Sequence, residues 1–218
     1  MKQLKPIITE NPQEASGDYG LELLKDSTEN ETVVRQLHFK GVRAEEEDFS
    51  HLLSRGVRFS NCQFWNCTFS WAEFSDVEFL SCDFSGCNFS DCDCERVNFS
   101  LCKGVGTKFT TSRMNHVSFS DCNMNYANFD QSALKNVVFR QMELNSSNLS
   151  QCQCKDVLWN NVQLVNASFF KTSLRGMDFT TSVIQGLVLS DEMEELKGAV
   201  MDIYQAAEMA GRLGIIIK

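Results

Sequence analysis

FSNCQFWNCTFSWAEFSDVEFLSCDFSGCNFSDCDC, Phe59 to Cys94, repeats a large apolar residue every fifth position, often with Cys two places before it. The same spacing runs on well past this stretch. Residues whose numbers end in 4 or 9 form 27 consecutive positions from Phe59 to Leu189, and 26 of them are apolar side chains or Cys; Gly104 is the one gap. Two places earlier lies a second set, mostly small: Val57, Cys62, Cys67, Ala72, Val77, Cys82 and onward to Leu187. The remaining three positions are mostly Ser, Asn, Asp, Thr and Gln.

Neither an amphipathic helix, with its period of 3.6, nor a strand, with its period of two, produces such a pattern. A strict five fits a chain that turns a corner every five residues and points one large and one small side chain inward on each side. Four sides make a coil of about twenty residues, and such coils stack as parallel strands about 4.8 Å apart. Residues 20 apart then fall in columns. One column reads Phe59, Phe79, Phe99, Phe119, Phe139, Trp159, Phe179, and the opposite one Phe69, Phe89, Phe109, Phe129, Leu149, Phe169, Leu189. Each buried Phe contributes roughly 1.5–3 kcal/mol, so the stack needs no ligand, metal or disulfide to hold it. Asn and Asp one place before the large residue read as corner chemistry, bonding turn backbone.

The units NCQFW, NCTFS, SCDFS, GCNFS and YANFD resemble the pentapeptide-repeat family over roughly residues 57–189. That resemblance implies an all-β solenoid, a right-handed quadrilateral parallel β-helix.

Ten cysteines would suggest a disulfide framework in a short secreted chain, but 218 residues with no apolar leader suggest reduced thiols instead. In the coil Cys62, Cys82, Cys102 and Cys122 share a column, which reads as small inward packing rather than a redox ladder. Cys92/Cys94 and Cys152/Cys154 look like metal half-sites. Three coils separate them, roughly 14 Å, too far for one tetrahedral zinc. The three histidines show no ligand spacing, GVGTK at 104–108 lacks the phosphate-loop pattern, and no nucleophile elbow is present. A non-catalytic protein without cofactor or metal is expected. No apolar run approaches a membrane span, so a soluble cytoplasmic protein is the expectation.

The flanks read differently. Residues 1–56 are expected to be an N-terminal arm and cap: a mobile acidic stretch over 1–30, a strand at 32–42 and a short helix at 44–56. Residues 190–218 are expected to hold a C-terminal helix opened by a capping box, Asp202 with Gln205, with Ile203, Ala206, Ala207, Ala210 and Leu213 along one stripe. Ile215 and Ile216 follow as an apolar tail. Such an ending is either a cap on the last coil or a dimer interface. It is similar to that of the quinolone-resistance branch of the family, which implies a homodimer through these residues.

That branch mimics DNA and binds DNA gyrase, so the distribution of charge matters. Net charge is −4 over 1–56, −2 over 57–189 and −3 over 190–218. The rod is therefore nearly neutral and also split, −5 over 57–100 and +3 over 101–189. Lys135, Lys155 and Arg175 form a basic column on three successive coils. The expected function is a rod-like protein-binding scaffold, with a gyrase-binding DNA mimic that protects topoisomerase from quinolones as the alternative. Direct nucleic-acid binding is not expected.

Overall fold

The computed structural model describes residues 3–217. From Val33 on, strands repeat at an offset of twenty residues and pair in parallel, as in Val57↔Val77↔Val97 and Phe59↔Phe79↔Phe99, whereas Gln13 pairs with Leu37 at an offset of 24. Eight strands stack along one path, from Gln13–Ser16 and Leu37–Lys40 through Leu53–Ser60, Glu73–Leu80 and Asp93–Ser100 to Leu158–Gln163. The architecture is a four-sided parallel β-solenoid with one helix near each end.

The period of five has a backbone cause. From Gln36 to Lys171, nearly every residue whose number ends in 1 or 6 has φ near +50° to +70°, whether Gly56, Asn61, Trp71, Asp91 or Tyr126. A left-handed residue every fifth position turns the chain through each corner. Glycine and asparagine suit this conformation, yet leucine and tryptophan also occupy it because tertiary packing over-determines the corner. The Asn and Asp residues act where the sequence placed them. The side chains of Asp83, Asn88, Asn123, Asn128 and Asn148 each accept the backbone N–H two residues on.

Inside, both aromatic columns form. Ring centroids along one are 4.8 Å apart for Phe79–Phe99, 4.7 Å for Phe99–Phe119 and 5.3 Å for Phe119–Phe139, with the planes nearly parallel. The second column repeats this, and the two meet edge-to-face, as at Phe119–Phe129 with an interplanar angle of 87°. The preferred geometries of aromatic pairs are thus met along and across the rod.

The N-terminal 56 residues depart from expectation. The short helix predicted at 44–56 is absent; strands Arg43–Glu45 and Leu53–Ser60 occupy that stretch. Ala44, Phe49, Leu52 and Ser54 point inward in register, while Glu45, Glu46 and Glu47 occupy the side and corner. Of the acids that suggested a helix N-terminus, Glu45 and Glu46 face solvent and Glu47 is half-buried and paired with Lys25. Phe39 and Phe49 carry both aromatic columns back into this region, stacking on Phe59 and Phe69.

The helix lies further upstream, α1 (Gly17–Glu29), within the stretch expected to be a mobile arm. It buries Gly20, Leu24 and Ser27 against the first strands and closes that end of the stack. Gly20 is needed for close approach, because a Cβ there would sit 2.7 Å from Ala15 O and Val42 Cγ2. Ahead of it the chain runs along a corner of the rod. Ile7 N–H donates to Asp76 Oδ1 (3.0 Å), and Leu4 N–H to His116 Nδ1 (3.3 Å). Met1 and Lys2 lie outside the described residues.

At the other end the period breaks after Leu189, but pairing continues for one partial coil. Asp178 pairs with Val200, 22 residues on instead of 20. The two added residues are accommodated around a short 3-10 turn, Glu194–Leu196. The Glu195 carboxylate is buried there and accepts from Ser190 N–H, Ser190 Oγ and Lys171 N–H at 2.8–3.0 Å. Burial pushes its pKa up, but these hydrogen bonds outweigh that and hold it below the usual range. The second helix, α2 (Ile203–Arg212), follows with the predicted capping box complete.

Candidate functional site

Three features could carry function: the thiols, the outward charges and the C-terminal end. All ten cysteines are free, nine of them buried. The inward small position does more than fill space. Cys87, Cys92 and Cys152 donate through Sγ to carbonyls of the preceding coil, Phe64, Phe69 and Phe129, at 2.9–3.0 Å. Thr107, Ser112, Ser132 and Thr172 make the same bond with a hydroxyl. Cys, Ser and Thr recur there because they are small and can donate to a carbonyl of the preceding coil, adding to the backbone N–H that the Phe69, Phe84, Phe109 and Phe129 carbonyls already accept. Burial pushes the Cys92, Cys152 and Cys154 thiols up to about 12, leaving little thiolate for redox or metal chemistry. Among the described residues, no three His, Cys, Asp or Glu side chains are grouped to hold a metal ion.

The outward charges pair between coils. Arg58–Glu78 (2.8 Å), Asp76–Arg96 (2.7 Å), Asp83–Lys103 (3.5 Å) and Asp93–Arg113 (2.8 Å) are all 20 residues apart. The Arg96 fork is bidentate on Asp76 and also reaches Glu95. It holds the Asp76 carboxyl below its ordinary pKa, chiefly by hydrogen bonding. Five of the seven carboxylates over residues 57–100, all but Glu73 and Asp91, are therefore ion-paired in place.

The basic column is different. Lys135 and Lys155 are direct strand partners, and Arg175 follows one coil on, all exposed. Among the described residues no carboxylate lies within ion-pair distance of any of the three. Among the described residues one Ser–His contact occurs, His38 Nε2 to Ser60 Oγ at 2.6 Å, at an open groove by Arg58 and Glu78. The neighbouring N–H of Asn61 is committed to Leu80 O and is not free to stabilise an oxyanion.

At the C-terminus α2 docks on the last coil with its polar face. Gln205 Nε2 donates to Phe179 O and Ser182 O, Glu208 accepts from Gly186 N–H, and Arg212 donates to Leu187 O. Met209 is the buried apolar contact between them. These groups close the carbonyl edge of the solenoid. The predicted stripe points the other way: Ile203, Ala206 and Leu213 are exposed and Ala207 and Ala210 half-buried. Ile215 and Ile216 extend the exposed apolar surface. Lys218 lies outside the described residues.

The pentapeptide repeat region model matches residues 72–149 and 92–169, within the stretch where the five-residue corner is regular. Residues 72–169 are thus a pentapeptide repeat region. Among solved structures the rod is similar to QnrB1, a plasmid-mediated fluoroquinolone resistance protein. The identity is 22%, with 83% of this chain and 100% of that chain covered and a TM-score of 0.48. It is also similar to HetL, a pentapeptide-repeat protein involved in heterocyst differentiation regulation in the cyanobacterium Nostoc sp. strain PCC 7120. There the identity is 16%, coverage 88% and 87%, and the TM-score 0.40. No curated protein sequence matches the chain. Among the described residues no helix is long and apolar enough to cross a membrane.

Proposed function

We propose that this protein is a non-catalytic rod that works by protein–protein contact and dimerises through its C-terminal segment, residues 190–218. The observation that carries this reading is the orientation of α2. Its polar face and Met209 close the coil, while Ile203, Tyr204, Leu213, Ile215 and Ile216 face solvent, with Ile203 78% and Ile216 84% exposed. A contiguous apolar surface at the end of a soluble rod is the mark of a protein interface. Many polar side chains of the coil, by contrast, are engaged in corner bonds and inter-coil pairs, and the grooves they line are shallow and open.

Ile216→Asp tests the interface. Ile216 is too exposed for the change to cost much folding stability, so the melting temperature should stay within about 2 °C. Mass by light scattering should fall from dimer to monomer. An unchanged mass would remove residues 190–218 from the interface.

The DNA-mimic alternative requires a continuous negative field, and the inter-coil pairs and basic column argue against it. A gyrase supercoiling assay with and without ciprofloxacin separates the readings. At micromolar protein we expect neither inhibition nor protection; either effect would put topoisomerase in place of the general scaffold.

A further inference from the structure

One side of the rod carries both halves of a charge pattern in mirrored order. Along it, strand partners read Glu73, Asp93, Arg113, Ala133, Gln153 in one column and Ser75, Glu95, Asn115, Lys135, Lys155 in the next. Ser173 and Arg175 continue these one coil on, and Trp71, Asp91 and Lys171 stand on the bordering corner. The N-terminal half carries the acids, with Glu73, Asp91 and Asp93 lining a shallow groove beside Trp71 and Glu95 next to it. Asp93 also pairs with Arg113 and Glu95 with Arg96, while Glu73 and Asp91 have no ion-pair partner among the described residues. The C-terminal half is basic, with Lys135, Lys155, Lys171 and Arg175. None of these four has an ion-pair partner among the described residues.

We propose that this side is a self-complementary docking face for a second, antiparallel copy of the chain. A two-fold axis crossing the face between the coils of Asn115 and Lys135 sets Glu95 opposite Lys155 and Asn115 opposite Lys135. It also sets Trp71, 57% exposed, opposite Lys171, where an ammonium over an indole face is attractive. Glu73 then lies diagonal to Arg175. A parallel arrangement would set acid on acid and base on base, so the charge order selects the antiparallel one. The net charge of −9 repels free polyanions at long range. Only a surface that offers cations beside its acids matches both ends of the face, and a second copy does so by symmetry.

The contact spans six coils, roughly 24 Å at the strand spacing, and is flat and charged. It belongs with small, transient interfaces and should be strongly salt-dependent. It is independent of the C-terminal interface, so it is read in the full-length Ile216→Asp protein. Sedimentation velocity at about 20 mM and about 300 mM NaCl should show a two-copy species only at low salt. Glu95→Lys and Lys155→Glu should each weaken that association at least about tenfold, and the double reversal should restore most of it. Circular dichroism confirms that each variant is folded. Salt-independent mass, single reversals without effect, or a folded double reversal that fails to recover would each overturn the proposal. Binding of oligo-glutamate at low salt without self-association would also overturn it, assigning the basic half to an acidic partner instead.

Discussion

Phe119→Asp is expected to abolish the cooperative unfolding transition of the full-length protein near its wild-type midpoint. Phe119 is fully buried, stacked on Phe99 and Phe139 and edge-on to Phe109 and Phe129. Truncating such a ring costs about 3–5 kcal/mol, and an unpaired buried carboxylate adds several more. The sum approaches the entire stability of a typical domain, about 5–15 kcal/mol. Because each coil contacts only its neighbours, loss of one coil also uncouples the two halves of the stack. The urea midpoint by circular dichroism should fall beyond measurement, whereas Phe119→Leu, which keeps an apolar side chain in the column, should remain folded. A wild-type midpoint for the Asp variant would mean the ring is not in the core.

This core was legible because the period of five gives every residue a spatial address. Once Phe119 is a large inward residue, its neighbours at 99 and 139 follow. The same addressing would have found the ion pairs, since Arg58 and Glu78, or Asp93 and Arg113, differ by 20. Summing charge by segment hides them. Composition likewise suggested only size for the small inward set. That Cys87 and Ser112 are donors follows from the carbonyl each meets on the preceding coil, a partner 23 residues away.

The flanks were less legible because they have no repeat to enforce a register. Glu45–Glu47 suit a helix start and a solvent-facing side equally well, and only the inward Ala44, Phe49 and Leu52 decide. The path of residues 3–12 rests on backbone N–H groups reaching Asp76 and His116, and backbone donors leave no trace in composition. The capping box of α2 was readable because it is local. Which face of α2 docks was not, because Gln205 and Arg212 donate to carbonyls of the last coil and Glu208 accepts from its Gly186 N–H, while the apolar stripe is left outside.

Gly104→Leu is the second large effect expected, because the one gap in the apolar period is already filled. A Cβ at Gly104 would lie 2.5 Å from Met124 Sδ and 2.9 Å from two atoms of the Phe84 ring. Phe84 and Met124 belong to the coils on either side, so their side chains converge into the space that a large residue at 104 would claim. The backbone φ at Gly104 is not in the left-handed region, so glycine is present for volume and not for conformation. Over-packing at such a site costs about 1–3 kcal/mol, with Gly104→Ala at the low end and Gly104→Leu at or above the high end. Met124→Ala alone should cost about 2–5 kcal/mol through the cavity it leaves. Combining it with Gly104→Leu places the new side chain in that cavity. The double variant should therefore be more stable than the sum of the singles predicts, by about 1–3 kcal/mol in a urea-melt cycle. Strict additivity would mean that the coils at 84, 104 and 124 do not share this space. A favourable coupling ties the only break in the sequence period to the packing of its two neighbouring coils.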